Sequence, residues 1–149
     1  SEIWLLVFIT LGIATDCLDG IVARLTESGS PLGMLFDHTT DCLFVTGGLV
    51  GSAIAGEVSV LLPILIGCAF IQYVFDSFWL DHKKGLRMSM LGRWNGILYY
   101  VPLVVISISR TDFMIDSSHM WSMAITFMSY GLMVSTVVSM IDRAMAPRV

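Results

Sequence analysis

Long apolar runs alternate with short polar links along the whole chain. The pattern predicts five apolar helices, over residues 3–24, 33–55, 58–80, 91–109 and 119–141. An α-helix rises 1.5 Å per residue, so about 20 residues cross the roughly 30 Å hydrocarbon core of a bilayer. We therefore expect an all-α integral membrane bundle with five transmembrane helices, forming a single domain over residues 1–149.

Composition agrees with a membrane location. Hydrophobic residues make up 56% of the chain and charged residues only 13%, whereas soluble domains carry about 25% charged residues. This balance argues against a soluble globular protein. A lipid bilayer is the expected partner, and no nucleic-acid partner is expected.

Basic residues predict the orientation. If the five helices alternate in direction, seven of the eight Lys and Arg residues fall on one side of the membrane, and Arg110 alone lies on the other. Basic residues mark the cytoplasmic side. The seven are Arg24, Lys83, Lys84, Arg87, Arg93, Arg143 and Arg148.

Four aspartates interrupt the first two apolar segments. Asp16 and Asp19 share one helix face at i, i+3, and Asp37 and Asp41 share a face of the next helix at i, i+4. A carboxylate costs roughly 2.5 to 3.5 kcal/mol at the bilayer centre, so the cluster requires cations or a wet cavity. Two antiparallel helices with a short turn would bring the pairs face to face, and oxygen ligands of this kind suit Mg²⁺ or Mn²⁺.

A purely structural role is the alternative for these carboxylates. They would then pair with Arg24 and other polar groups to fix the helices together. One arginine does not balance four carboxylates, so we favour metal binding. His38 follows Asp37 on a different helix face, and we favour polar packing over metal ligation for it.

Residues 16–41 also carry a family resemblance. The run D-x-x-D-G-x-x-A-R-x8-G-x3-D-x3-D resembles the signature of the CDP-alcohol phosphotransferases. Its fixed positions are filled by Asp16, Asp19, Gly20, Ala23, Arg24, Gly33, Asp37 and Asp41. The longer string S-P-L-G-M-L-F-D-H, residues 30–38, further resembles the choline and ethanolamine phosphotransferase branch.

The resemblance implies a role for each matched residue. It implies metal binding for Asp16, Asp19 and Asp37, which would hold two Mg²⁺ or Mn²⁺ ions. It implies a proton acceptor at Asp41, which also touches the second ion in some members. Contacts with the CDP moiety are implied for Gly20, Ala23, Arg24, Ser30 and Gly33.

The implied reaction is attack by an alcohol on the phosphorus distal to cytidine, with release of CMP. We favour CDP-diacylglycerol as the donor and a small polar alcohol as the acceptor, because the chain is short like the prokaryotic-type members. That likeness also implies a prokaryotic inner or plasma membrane, with the site facing the cytoplasm. Three alternatives stay open: a CDP-aminoalcohol donor with diacylglycerol as the acceptor, a cation-transport subunit, and an inactive regulatory relative.

The helix count departs from the family pattern. Members usually have six membrane helices, and the pattern here gives five, so the first one is apparently absent. The five helices then correspond to the second and later helices of the family. The nucleotide contacts that this helix makes in the family therefore cannot be assigned to residues of this sequence.

The acceptor site and the oligomeric state have weaker sequence signals. Four basic residues lie in or just after the link before the fourth segment, and they suit either a phosphate on the acceptor or anionic lipid headgroups. They are Lys83, Lys84, Arg87 and Arg93. Asp76 is a candidate for a cationic or polyol acceptor. Gly47 and Gly51 form a G-x-x-x-G pattern that suits close packing, either within the bundle or across a homodimer.

Overall fold

The computed structural model describes residues 2–25, 31–76, 90–110 and 118–145, and all its regular elements are helices. They are α1 (Glu2–Leu25), α2 (Pro31–Ile54), α3 (Leu61–Phe75), α4 (Met90–Leu98), α5 (Tyr100–Ser109) and α6 (Ser118–Met145). Within these ranges there is no β-strand. The all-α prediction is confirmed. The six helices in these ranges correspond to the five predicted segments, since α4 and α5 together form the fourth segment.

The second predicted segment begins two residues earlier than the sequence pattern suggested. Pro31 is the first residue of α2, where its missing N–H removes no intrahelical bond and its fixed φ suits the helix. The helix ends at Ile54, and Gly56 adopts a φ of 78°. Glycine adopts this left-handed conformation without strain, which allows the chain to reverse into α3.

The fourth segment is broken at Tyr99, between α4 and α5. Pro102 lies three residues further on and is fully buried. A proline has no N–H to donate to the carbonyl four residues earlier, and its ring clashes with that carbonyl. The residue concerned is Leu98, the last residue of α4, so Pro102 accounts for the position of the break.

The last helix is longer than predicted. We expected the helix to end at Ile141 and a polar tail to follow, but α6 continues to Met145. Arg143 is therefore a helical residue, and its guanidinium carbon lies 4.9 Å from the centre of the Tyr73 ring on α3. The long stem of an arginine packs along apolar surface while its charged end stays in polar surroundings. The last turn of α6 therefore accommodates a charged residue here.

Two kinds of contact hold the bundle together. A core of buried aliphatic side chains runs between α2, α3, α5 and α6 and includes Leu49, Leu62 and Ile106. Hydrogen bonds join α6 to its neighbours, as expected where lipid gives apolar packing no advantage. The Tyr99 and Thr136 hydroxyls lie 2.7 Å apart.

Two further polar contacts join α6 to α4 and α3. Ser135 Oγ donates to Asn95 Oδ1 on α4 at 2.7 Å. Gln72 Nε2 on α3 donates to the Met140 carbonyl at 3.1 Å.

The outer surface is apolar on every helix. Exposed side chains include Phe8 on α1, Phe36 on α2, Ile71 on α3, Trp94 on α4, Val101 on α5 and Phe127 on α6. Soluble proteins rarely expose so continuous an apolar surface, so this surface fits lipid. Within the part of the chain that the structure describes, two segments, Met90–Ser109 and His119–Met145, are long and apolar enough to cross a membrane by length and composition; the count of five spans stays a prediction.

Close helix packing in α2 occurs at Gly48, not at the predicted glycine pair. A Cβ added to Gly48 would lie 2.9 Å from a methyl carbon of Leu103 on α5. Gly47 and Gly51 have open space in place of a side chain, with nothing within 4 Å. Of the two roles considered for this pair, packing within the bundle is not seen for the described residues, and a homodimer contact stays a prediction.

Candidate metal site and adjoining cavity

Three polar side chains converge near the beginning of α2. One ligand atom each from Asp37, His38 and Asp41 lie within 4.8 Å of one another. Asp37 and Asp41 are brought together by their i, i+4 spacing on one helix. The sequence analysis favoured packing for His38, and the structure places its ring with the carboxylates: His38 Nδ1 lies 4.0 Å from Asp37 Oδ2.

The convergent group fits a divalent cation. Opposite ligands of an ion bound at about 2.1 Å are about 4.2 Å apart, so small side-chain adjustments would let all three contact one ion. Carboxylate oxygens suit Mg²⁺ and Mn²⁺, and an imidazole nitrogen is a better ligand for Mn²⁺. The arrangement is a candidate divalent-metal site, and the metal roles of Asp37 and Asp41 stay predictions.

Asp41 is held from a second helix. The Tyr100 hydroxyl on α5 donates to Asp41 Oδ1 at 2.8 Å. The Tyr100 ring also stacks on Phe44, one turn after Asp41, with ring centres 6.2 Å apart and an angle of 28° between the planes. Both Asp41 and Tyr100 are partly buried.

A cavity of about 690 Å³ opens beside this group. His38 and Asp41 form part of its wall, and apolar side chains form most of the rest, including Val45, Ile66 and Val104. Its size is within the range of small-molecule sites, which are mostly apolar with a few placed polar groups. Asp41 therefore lies where the polar group meets an apolar cavity.

Two arginines also line the cavity. Arg93 lies near the beginning of α4, and Arg143 lies near the end of α6. Arg143 is placed over the Tyr73 ring, and Tyr73 in turn lies 6.0 Å from the His38 ring, measured between centres. The cavity thus combines apolar walls with positive charge near the candidate metal site.

Other predicted site residues have different positions in the structure. Asp76 follows α3, where its N–H contacts the Gln72 and Tyr73 carbonyls, and Gly33 is exposed near the start of α2. The backbone of α1 carries Asp16, Asp19, Gly20, Ala23 and Arg24, but their side chains lie outside the description. Ser30, Lys83, Lys84 and Arg87 also lie outside the described residues.

Sequence reasoning overlooked Tyr100 and assigned Arg143 only to the membrane orientation. Neither residue had a local signal. Tyr100 lies in an apolar run, 59 positions from Asp41, and Arg143 follows the apolar part of the last segment. Only the packing of α5 and α6 against the other helices shows that both face the cavity.

Comparison with known proteins gives one consistent match. The sequence profile described as CDP-alcohol phosphatidyltransferase matches residues 1–141. Cholinephosphotransferase 1 of Bos taurus is 28% identical over 147 residues, which is 95% of this chain and 35% of that protein. Cholinephosphotransferase 1 of Homo sapiens is 32% identical over 109 residues, 69% of this chain and 26% of that protein.

A third relative comes from fission yeast. An uncharacterized CDP-alcohol phosphatidyltransferase class-I family protein of Schizosaccharomyces pombe is 29% identical over 99 residues, 65% of this chain and 26% of that protein. The chain thus spans about a third of the length of the first curated relatives it matches. No solved structure matches it.

Proposed function

Since the chain belongs to the CDP-alcohol phosphatidyltransferase family, we propose that it transfers a substituted phosphate group from a CDP-linked donor to an alcohol at a membrane and releases CMP. The observation that carries the proposal is Asp41, which borders the candidate metal site and an apolar cavity. A carboxylate in this position has both an ion and a substrate within reach.

The cavity favours a lipid as the acceptor. A proton acceptor must lie beside the hydroxyl that attacks, so the acceptor binds on the side of Asp41 that faces the cavity. Val45, Ile66 and Val104 line that cavity, and they suit acyl chains better than a small polar alcohol. The cholinephosphotransferase relatives and the string from Ser30 to His38 support the same choice of acceptor. We therefore propose a CDP-aminoalcohol as the donor and diacylglycerol as the acceptor. This assignment is the alternative to the CDP-diacylglycerol donor favoured from sequence length.

The metal-binding residues are proposed from both helices. Asp37 and Asp41 on α2, with Asp16 and Asp19 on α1, would hold two divalent ions, and His38 lies beside them. Divalent ions held there would supply charge neutralisation at the donor diphosphate. Gly20, Ala23, Arg24, Ser30 and Gly33 are proposed to contact the CDP moiety, as the family signature implies.

The proposed transfer moves one proton and exchanges one phosphorus–oxygen bond for another. Asp41 accepts the proton of the acceptor hydroxyl, and the hydroxyl oxygen forms a bond to the phosphorus distal to cytidine. The bond between that phosphorus and the bridging oxygen breaks, and CMP leaves with the electron pair. The phospholipid product remains in the bilayer, which is consistent with a site at the membrane surface that opens to the cytoplasm.

A second candidate keeps CDP-diacylglycerol as the donor. The observation that favours it is the pair Arg93 and Arg143 on the cavity wall. A guanidinium group binds phosphate oxygens with two parallel hydrogen bonds, so this wall suits an acceptor alcohol that carries a phosphate. The predicted prokaryotic membrane belongs with this candidate and stays a prediction.

One assay separates the two candidates. The full chain, purified into lipid nanodiscs with Mg²⁺ or Mn²⁺, is supplied with CDP-choline or CDP-ethanolamine plus diacylglycerol. In parallel it is supplied with CDP-diacylglycerol plus glycerol phosphate, inositol or inositol phosphate. CMP release with the first set alone supports the proposal, and release with the second set alone overturns the donor assignment. CDP binding without any turnover would favour an inactive relative.

A further inference from the structure

Tyr100 has a hydrogen bond that joins two separate helices at the candidate site. Its hydroxyl donates to Asp41 Oδ1 at 2.8 Å, and its ring stacks on Phe44, also on α2. The ring and the hydroxyl thus contact α2 at two points one turn apart. Two contacts fix the direction of the phenol more closely than a single hydrogen bond would.

The main chain around Tyr100 is fixed as well. The break between α4 and α5 lies at Tyr99, and the Tyr99 hydroxyl is 2.7 Å from that of Thr136 on α6. Consecutive helical residues point about 100° apart, so Tyr99 contacts α6 while Tyr100 contacts α2. The two tyrosines together hold the beginning of α5 between the two helices.

We propose that Tyr100 is a positioning residue for Asp41, an inference that rests on the proposed function. The Tyr100 hydroxyl engages Oδ1 of the carboxylate, so Oδ2 is the oxygen assigned to accept the proton of the attacking alcohol. A carboxylate with one oxygen held by a rigid donor does not rotate away from the cavity. The proton acceptor is then oriented before the acceptor alcohol binds, which lowers the cost of reaching the reactive geometry.

The test replaces the hydroxyl alone. Tyr100→Phe keeps the ring and its stacking on Phe44 but removes the donor to Asp41. We expect kcat for CMP release to fall by about tenfold, as when a group supporting a reactive residue is lost. The donor KM should stay within about twofold of wild type, because Tyr100 is not assigned to donor binding, whereas the affinity for Mn²⁺ should fall with kcat because Asp41 is also a proposed metal ligand.

A matched control removes a hydroxyl elsewhere. Tyr130 is exposed on the outer surface of α6, and Tyr130→Phe should leave kcat unchanged. Equal kcat values for Tyr100→Phe and Tyr130→Phe would overturn the proposal. A parallel loss of kcat and donor affinity in Tyr100→Phe would also overturn it, because that result indicates general disruption of the site.

A second measurement does not depend on turnover. Thermal stability in detergent is measured for wild type, Tyr100→Phe, Asp41→Ala and the double variant. Coupled effects are expected, because each single change removes one partner of the same hydrogen bond, and additive effects would overturn the proposed contact. If wild type releases no CMP with any donor, the proposed function fails while this cycle still decides whether Tyr100 holds Asp41.

Discussion

Arg110 and Glu57 form an ion pair with two contacts, Nε to Oε1 at 2.8 Å and Nη2 to Oε2 at 2.8 Å. The pair joins the end of α5 to the link between α2 and α3. It therefore lies beyond the end of α2, whereas Asp41 lies near the middle of that helix. The predicted topology, with Arg110 on the side of the membrane opposite Arg93 and Arg143, stays a prediction.

Loss of the Arg110 guanidinium should lower stability without altering the site. The two side chains are about one-third and one-quarter exposed, so we expect Arg110→Ala to cost about 1 kcal/mol, at the upper limit for partly solvated pairs. Thermal unfolding in detergent checks this value. Arg110→Lys, which lacks the planar fork, should recover only part of the loss, and a large change in CMP release would contradict the assigned location.

Asp41→Asn should remove turnover and keep nucleotide binding. An amide does not accept the proton of the attacking alcohol, so CMP release should fall by roughly 10² to 10⁴-fold. Metal-dependent CDP binding, measured by calorimetry, should persist. Asp16→Asn, which changes a predicted metal ligand, should weaken both turnover and binding, and unchanged activity in either variant would count against the roles assigned.

Removal of divalent ions should abolish CMP release, and Mn²⁺ or Mg²⁺ should restore it. Asp37→Asn should weaken Mn²⁺ binding by roughly tenfold or more, because it replaces a charged carboxylate ligand with a neutral amide. The electron paramagnetic resonance signal of free Mn²⁺ reports this affinity directly. Asp142→Asn, an exposed carboxylate on α6, is the control; an equal loss there would mean that the effect is not specific to the site.

Diacylglycerol should protect Cys42 from alkylation. Cys42 is partly buried and lines the cavity beside Asp41, so a bound lipid acceptor should slow its reaction with N-ethylmaleimide. The rate is measured by mass spectrometry in a Cys17→Ser, Cys68→Ser background. Exposed Cys68, tested in a Cys17→Ser, Cys42→Ser background, should react at the same rate with and without lipid. Protection of both thiols or of neither would argue against lipid binding in this cavity.

Thr136→Val should loosen the contact between α6 and the break in the fourth segment. The change keeps the shape of the side chain and removes the hydroxyl that pairs with Tyr99. Hydrogen bonds between membrane helices contribute about 0.6 kcal/mol on average, and a loss of about that size is expected in thermal unfolding. Thr126→Val is the matched control, because Thr126 is exposed and bonds to the Ser122 carbonyl of its own helix.

Much of the fold follows from periodicity and length. The five helical segments were predictable because each is an apolar run bounded by Gly, Pro or charged residues. The ends were less predictable. α6 continues past Asp142 and Arg143 because Arg143 packs over Tyr73, and a local pattern does not contain that contact.

The candidate site, like the fold, was predictable from the sequence only in part. The convergence of Asp37 and Asp41 was predictable because their spacing places them on one helix face, whereas their role, like that of Asp16 and Asp19, stays a prediction. Tyr100 and Arg143 reach the cavity from helices far along the chain. Their part depends on how α5 and α6 pack against α2 and α3, which the sequence pattern does not specify.

Pro102 connects an irregularity of the main chain to the contact between Tyr100 and Asp41. It carries no polar side chain, yet it accounts for the end of α4 at Leu98, two residues before the tyrosine that donates to Asp41. A variant without this proline could restore the backbone hydrogen bond to Leu98. In an engineered form of this bundle, idealising that helix would therefore alter the main chain beside the proposed proton acceptor, and a gain in stability would have to be weighed against its positioning.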